Sequence, residues 1–240
     1  MAIAIFVINS SIYAQDESID RLQLSVDVAS GFVWRGITLN TTPVFQPSFT
    51  FTSGKFFIGA WASTPFVLDG WNSYYQGLDL FVGFQLSPSF TIGLTDYYQY
   101  NYGWRVPTYF NYKKEDTDHA FDLQLIYDGS SGFPLKTTIS TIIAGNDLTY
   151  RNNTLKRNFS TYIELGYGSS FNGFDWEICA GIVPMSSELY ETDGFSLINL
   201  GFGFSKSFEI TPTYSLPLSL NFTVNPAAES VFLVATISLF

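Results

Sequence analysis

From Arg21 onward, side chains alternate between apolar and polar in short runs that recur every 12 to 20 residues, with no helical periodicity. In "RLQLSVDVASGFVW", Leu22, Leu24, Val26 and Val28 share one parity, and Gln23, Ser25 and Asp27 share the other. The same two-residue period runs through "VFQPSFTFT", "YYQGLDLFVGFQL", "FTIGL", "AFDLQLIY", "STYIELGYG", "FDWEICAGI" and "SLPLSLNFTV". "KFFIGAWAS" and "LKTTISTIIAG" alternate less cleanly, and their register stays open. The last run, "VFLVATISL", keeps alternating to the end of the chain and predicts a strand that closes against the first.

The connectors alternate too. "TSGK", "LSPS", "DGSSG", "SSFNG" and the stretch near "KSFEITPT" have the Gly, Pro, Ser and Asn chemistry of tight turns. Between them lie longer polar segments: "RGITLNTT", "TPFVLDGWNS", "YGWRVPTYFNYKKEDTD", "GNDLTYRNNTLKR", "SSELYETDG" and "NPAAES". Short turns on one side and long loops on the other predict an all-β, up-and-down antiparallel barrel of about twelve strands, with both termini on the short-turn side.

Composition decides which way that barrel faces. Charged residues are only 13% of the 240-residue chain while aromatic residues are 18%, and soluble domains carry about a quarter charged residues. The polar parity holds Gly, Ser, Thr, Gln and scattered Asp or Glu with almost no Lys or Arg, unlike a solvated outer face of mixed charge. The expected fold is therefore a transmembrane barrel, apolar side outward to lipid and small polar side chains lining a lumen. The partners expected of such a barrel are outer-membrane lipid and other outer-membrane proteins. Closing the sheet also satisfies every backbone group, as hydrocarbon requires.

The N-terminal run "AIAIFVINSSIYA" reads as a signal peptide, residues 1–14, cut near Ala14, leaving 15–240 as one barrel domain. No basic residue precedes the run, Ile12 is large for its place before the cut, and the run also fits a buried first strand. A net charge of −10 argues against nucleic acid as a partner. One cysteine and one histidine rule out an internal disulfide and His-rich metal sites, and no cofactor is expected.

The stretch from Ala29 to Gly83 resembles a largely uncharacterised family of small bacterial outer-membrane barrels. "FVWRGIT", then Pro43 and Gln46, "SGKFFIGAWAS" and "YYQGLDLFVG" carry the likeness. Trp34, Arg35, Gly36, Gly54, Gly59, Trp61, Ser63 and Asp79 stand at motif positions, while Gly77 stands where that family has an acidic residue. The match covers about the first quarter of the chain, and implies a bacterial outer-membrane location far more than any activity.

Candidate functional residues follow from the parity. Asp27, Asp79, Asp122, Glu164, Asp175 and Glu177 face the lumen and outnumber its clearest basic residue, Lys136. Such a lining predicts a passive pore with weak cation preference. Twelve strands lie between barrels that side chains fill and barrels that hold a channel, so a plugged interior is the competing expectation. Arg35, at the loop end of the first strand, is expected to hold the mouth by pairing with a lumen carboxylate such as Asp27 or Asp79. Aromatic residues crowd 95–112, and Tyr102, Trp104, Tyr109 and Tyr112 are candidates for stacking a loop-bound glycan or partner protein. His119 shares parity with Phe121, so an outward His-x-Ser pair is absent. With no nucleophile elbow or phosphate loop either, no enzyme activity is expected.

Overall fold

A computed structural model describes residues 20–66, 74–102, 108–114, 116–130 and 132–239, with the side chains of residues 74, 100–102 and 151 left aside. The proposed signal segment and Phe240 lie outside the described residues. Twelve strands close into one antiparallel up-and-down barrel. The first is β1 (Arg21–Ala29), followed in the chain by a small hairpin, β2 (Phe32–Trp34) and β3 (Ile37–Asn40), that is not part of the wall. The wall resumes with β4 (Val44–Ser53), β5 (Phe56–Pro65), β6 (Tyr74–Ser87), β7 (Phe90–Tyr102), β8 (His119–Tyr127) and β9 (Lys136–Gly145). A second hairpin, β10 (Leu148–Arg151) and β11 (Thr154–Arg157), decorates a loop. The wall ends with β12 (Thr161–Phe171), β13 (Phe174–Val183), β14 (Ser196–Thr211), β15 (Tyr214–Asn225) and β16 (Ser230–Ser238). The expected ring closure is present: Asp27, Val28 and Ala29 pair with Ser238, Ile237 and Thr236.

Register carries the two-residue period round the whole ring. Leu24 lies opposite Phe49, Phe51 opposite Ile58, Ile58 opposite Val82, Val82 opposite Leu94, and Leu94 opposite Leu123. This set faces away from the bore, with Leu24 58% and Leu123 41% exposed. The other parity turns inward and is buried: Gln46, Ser63, Asp79, Thr95, Gln124, Ser140 and Asn199. Apolar side chains outside and polar ones inside invert a soluble protein, and burial of polar groups is tolerable here because they hydrogen-bond one another. Two inward glycines are covered by rings rather than left as gaps. Phe57 lies across Gly83, and Phe81 across Gly59, each ring where a Cβ would stand.

The outward band predicts lipid contact. Leu123→Arg is expected to cost about 2–4 kcal/mol of stability in phospholipid vesicles, measured by denaturant unfolding. Ser219→Arg, on the inward parity, is expected to cost much less; equal costs would mean that Leu123 does not face lipid.

Candidate functional site

The bore is crossed by the β2–β3 hairpin. Sequence alternation alone extends the first strand to Trp34, but the chain leaves the wall after Ala29 and turns inward. Arg35 and Gly36 make the reversal with φ of 50° and 82°, the pair of left-handed residues that a tight hairpin turn requires. A Cβ at Gly36 would stand 1.9 Å from the carbonyl oxygen of Ile198 on β14, so only glycine lets the tip abut that wall. The Asn225 side chain donates to the Gly36 carbonyl at 3.1 Å. At the hairpin's other end, Asn40 donates to the Tyr75 carbonyl at 2.7 Å and accepts from its N–H at 3.0 Å. Phe32, Val33 and Trp34 then bury themselves against Ala29, Val44, Ile198 and Val234, the apolar cluster that fills this end of the bore. Removing that surface from water is the driving force for docking.

Arg35 is the hub. Its Nη2 donates to Asp122 Oδ2 at 2.8 Å, and Nη1 to the Tyr190 hydroxyl at 2.6 Å. The guanidinium carbon stands 4.6 Å from the Trp34 ring centre and 4.9 Å from that of Tyr162. Asp122 is wholly buried and accepts three further hydrogen bonds, from Tyr97 at 3.1 Å, Gln124 at 3.0 Å and Ser140 at 2.6 Å. A buried carboxylate with four donors, one of them charged, is satisfied. The mouth is thus held by an ion pair, as expected, but the partner is Asp122 rather than Asp27 or Asp79. The reason is the turn. Reversal at Arg35 carries its side chain across the bore to β8, five steps round the ring through β4, β5, β6 and β7.

The loops close over this hub. Asp147 accepts from the Ser160 N–H at 2.9 Å and the Ser160 hydroxyl at 2.7 Å, and Ser160 meets Ser187 at 2.6 Å. Ser187 in turn accepts from the N–H of Tyr190 at 3.2 Å. That chain of bonds fixes Tyr190 with its ring stacked between Trp34 and Tyr162, at 5.8 and 5.9 Å. Burial pushes the Tyr190 phenol up to about 12, partly opposed by the Arg35 charge.

The other lumen candidates separate by depth. Glu164 accepts from Tyr162 and from Asn199, the latter at 3.0 Å, near the hub. Asp79 is buried at the same end, one of its oxygens without a hydrogen-bond partner. Asp27 and Glu177 are inward and partly buried, further toward the short turns. Asp175 shares the parity of Glu177 and stands exposed at the short-turn rim, beside the Asn172–Gly173 turn and bonded to Ser170. Lys136 is also exposed, at the start of β9. A second strand cation escaped the sequence reading: Lys206 lies on the outward parity, 4.0 Å from the Phe174 ring centre.

Tyr102 and Trp104 have no described side chains. Tyr109 and Tyr112 do come together, but around His119 rather than as a vacant platform. His119 is fully buried on the outer parity of β8, with Tyr112 stacked on it at 4.3 Å and Tyr109 edge-on at 5.0 Å. Its Nδ1 lies 2.9 Å from Asp96 and its Nε2 2.5 Å from the Tyr109 carbonyl oxygen. The ring therefore pins residues 108–112 against the outside of the wall. Residues 108–112 thus lie outside the barrel, and the segment that enters the bore is the β2–β3 hairpin. Among the described residues no group of three or more His, Cys, Asp or Glu is placed to hold a metal ion.

Tyr97, Gln124, Ser140, Tyr190 and the inward course of residues 32–40 were missed by sequence reasoning. The hairpin had a signal, since Arg-Gly flanked by "FVW" and "ITL" is a two-residue turn between apolar arms. Neither a family model nor a curated protein matches this chain.

Arg35→Ala strands Asp122 without its counter-charge and is expected to cost about 3–5 kcal/mol, read as a lower denaturant midpoint in micelles. Adding Asp122→Asn is expected to recover part of the loss, since the two changes share one interaction. For Tyr190, a phenol raised from 10.0 to about 12 stabilises fully below pH 10, and the effect is lost as pH rises through 12. The wild-type unfolding free energy is therefore expected to fall by up to about 3 kcal/mol more than that of Tyr190→Phe between pH 10 and 12.

Proposed function

We propose that this chain is a bacterial outer-membrane barrel that passes small solutes, with weak cation preference, when the β2–β3 hairpin withdraws from the bore. At rest the hairpin holds the passage shut. The observation that carries this reading is the Arg35–Asp122 pair, a charged latch between the hairpin in the bore and the wall around it. Supporting it are the apolar band outside, the polar lining inside, and the partly exposed inward side chains on the short-turn side, among them Ser25, Asp27 and Glu177. The likeness of residues 29–83 to small outer-membrane barrels points to the same compartment. The excess of inward acids over bases favours cations, by the logic of charged pore linings.

A second reading has its own observation. On the loop side Phe110 is 87% exposed and Tyr150 76% exposed, as large apolar side chains are where a partner is met. In that reading the barrel stays closed and displays its loops to a partner protein or glycan.

Planar-bilayer recording separates the two. Wild-type protein is expected to show little current, and a variant with residues 31–41 replaced by a short Gly-Ser turn is expected to show steady, cation-selective current. Silence from both would rule out the passage and leave the closed, loop-displaying barrel.

A further inference from the structure

We infer that Asp79 is the carboxylate of a binding site for one small monovalent cation, of potassium or ammonium size, at the neck of the lumen. Asp79 is 4% exposed and faces inward from β6, and its Oδ1 has no hydrogen-bond partner. Its counterpart Asp122, at the same end of the bore, has four donors. A buried carboxylate oxygen left bare is costly, and such a group in a native fold calls for a bound species to complete it.

The surroundings limit what that species is. Trp61 on β5 and Tyr97 on β7 stand directly opposite Asp79 on its two neighbouring strands, and aromatic rings beside a carboxylate suit a cation. The next inward position on β6 is Gly77. A Cβ built there would meet nothing nearer than 3.9 Å, its neighbours being Gln99 Cγ, Trp61 Cζ3 and the Tyr98 carbonyl oxygen. Gly77 therefore leaves space for about one methyl group on the face of β6 that carries Asp79, two residues before it, with a backbone carbonyl oxygen at its edge. A guanidinium or a hydrated divalent ion is too large for it. Divalent metals are disfavoured also by ligand count, since among the described residues no three His, Cys, Asp or Glu side chains converge. Arg35 does not fill the role, because its Nη1 and Nη2 donate to Tyr190, Tyr97 and Asp122.

The site deepens the cation preference of the passage proposed above, but its test needs no current. Thermal unfolding of the full chain in neutral micelles is compared in potassium chloride and in N-methylglucamine chloride at equal ionic strength, the second cation being too bulky for the site. Wild-type protein is expected to unfold about 2–4 °C higher in potassium, the shift that modest specific binding gives a chain of this size. Asp79→Asn is expected to remove the difference by removing the charge. Gly77→Ala is expected to remove it by filling the space while leaving the carboxylate in place. A wild-type protein indifferent to the cation would overturn the inference and leave a proton as the group on Asp79. A difference that persists in Asp79→Asn or in Gly77→Ala would overturn it as well, because the ion would then sit elsewhere. A barrel that never conducts still shows the shift if the site is real, so failure of the passage and failure of the site are separate results.

Discussion

A ring of twelve strands encloses more room than its own inward side chains fill, and most other features of this fold answer that constraint. Narrow barrels fill with side chains and wide ones hold a channel; this one lies between and brings in a segment of its own chain. The wall contributes mostly small and medium groups to the bore, such as Ser63, Thr95 and Ser140, with rings like Phe57 and Phe81 lying flat over glycines. Space remains for a two-stranded hairpin, and its apolar residues Phe32, Val33 and Trp34 form much of the cluster at the loop end.

Putting a hairpin inside a polar bore creates an electrostatic problem that the same hairpin solves. Asp122 is fully buried and would be expensive as a bare anion. Arg35 reaches it from the tip of the hairpin, while Tyr97, Gln124 and Ser140 take up its remaining capacity. Placing a charged pair at the tip makes docking specific, because a slip of one residue would separate the guanidinium from Asp122 and push Gly36 out of contact with Ile198. The left-handed backbone at Arg35, unusual for a residue with a side chain, is held by that over-determined setting.

The loop side is built as a second layer over the first. Tyr190 is stacked on Trp34 and bonded to Arg35, and its own segment is tied through Ser187 and Ser160 to Asp147. The hairpin, two loops and the β7–β9 wall therefore share one network, so its parts are expected to loosen together. The His119 side chain works on the other face of the wall. It lies on the outer parity and fastens residues 108–112 to the outside of β7 and β8.

The strand count, the turn and loop alternation and the sidedness were legible in the sequence, because a two-residue period with apolar Leu24, Leu80 and Leu123 on one parity admits one orientation of each strand. Ring closure was legible for the same reason, as "VFLVATISL" is a strand that needs a partner. Which lumen acid meets Arg35 was not legible. Alternation fixes the face on which a residue lies but not the strands that face each other across a bore, and Asp122 stands 87 residues away from Arg35. The inward course of residues 32–40 was decided by tertiary structure too, since "FVWRGITLN" suits an external hairpin as well as an internal one. What settled it was the unfilled volume, the approach to Ile198 that only Gly36 permits, and a buried carboxylate in need of a cation. All three exist only once the ring has closed.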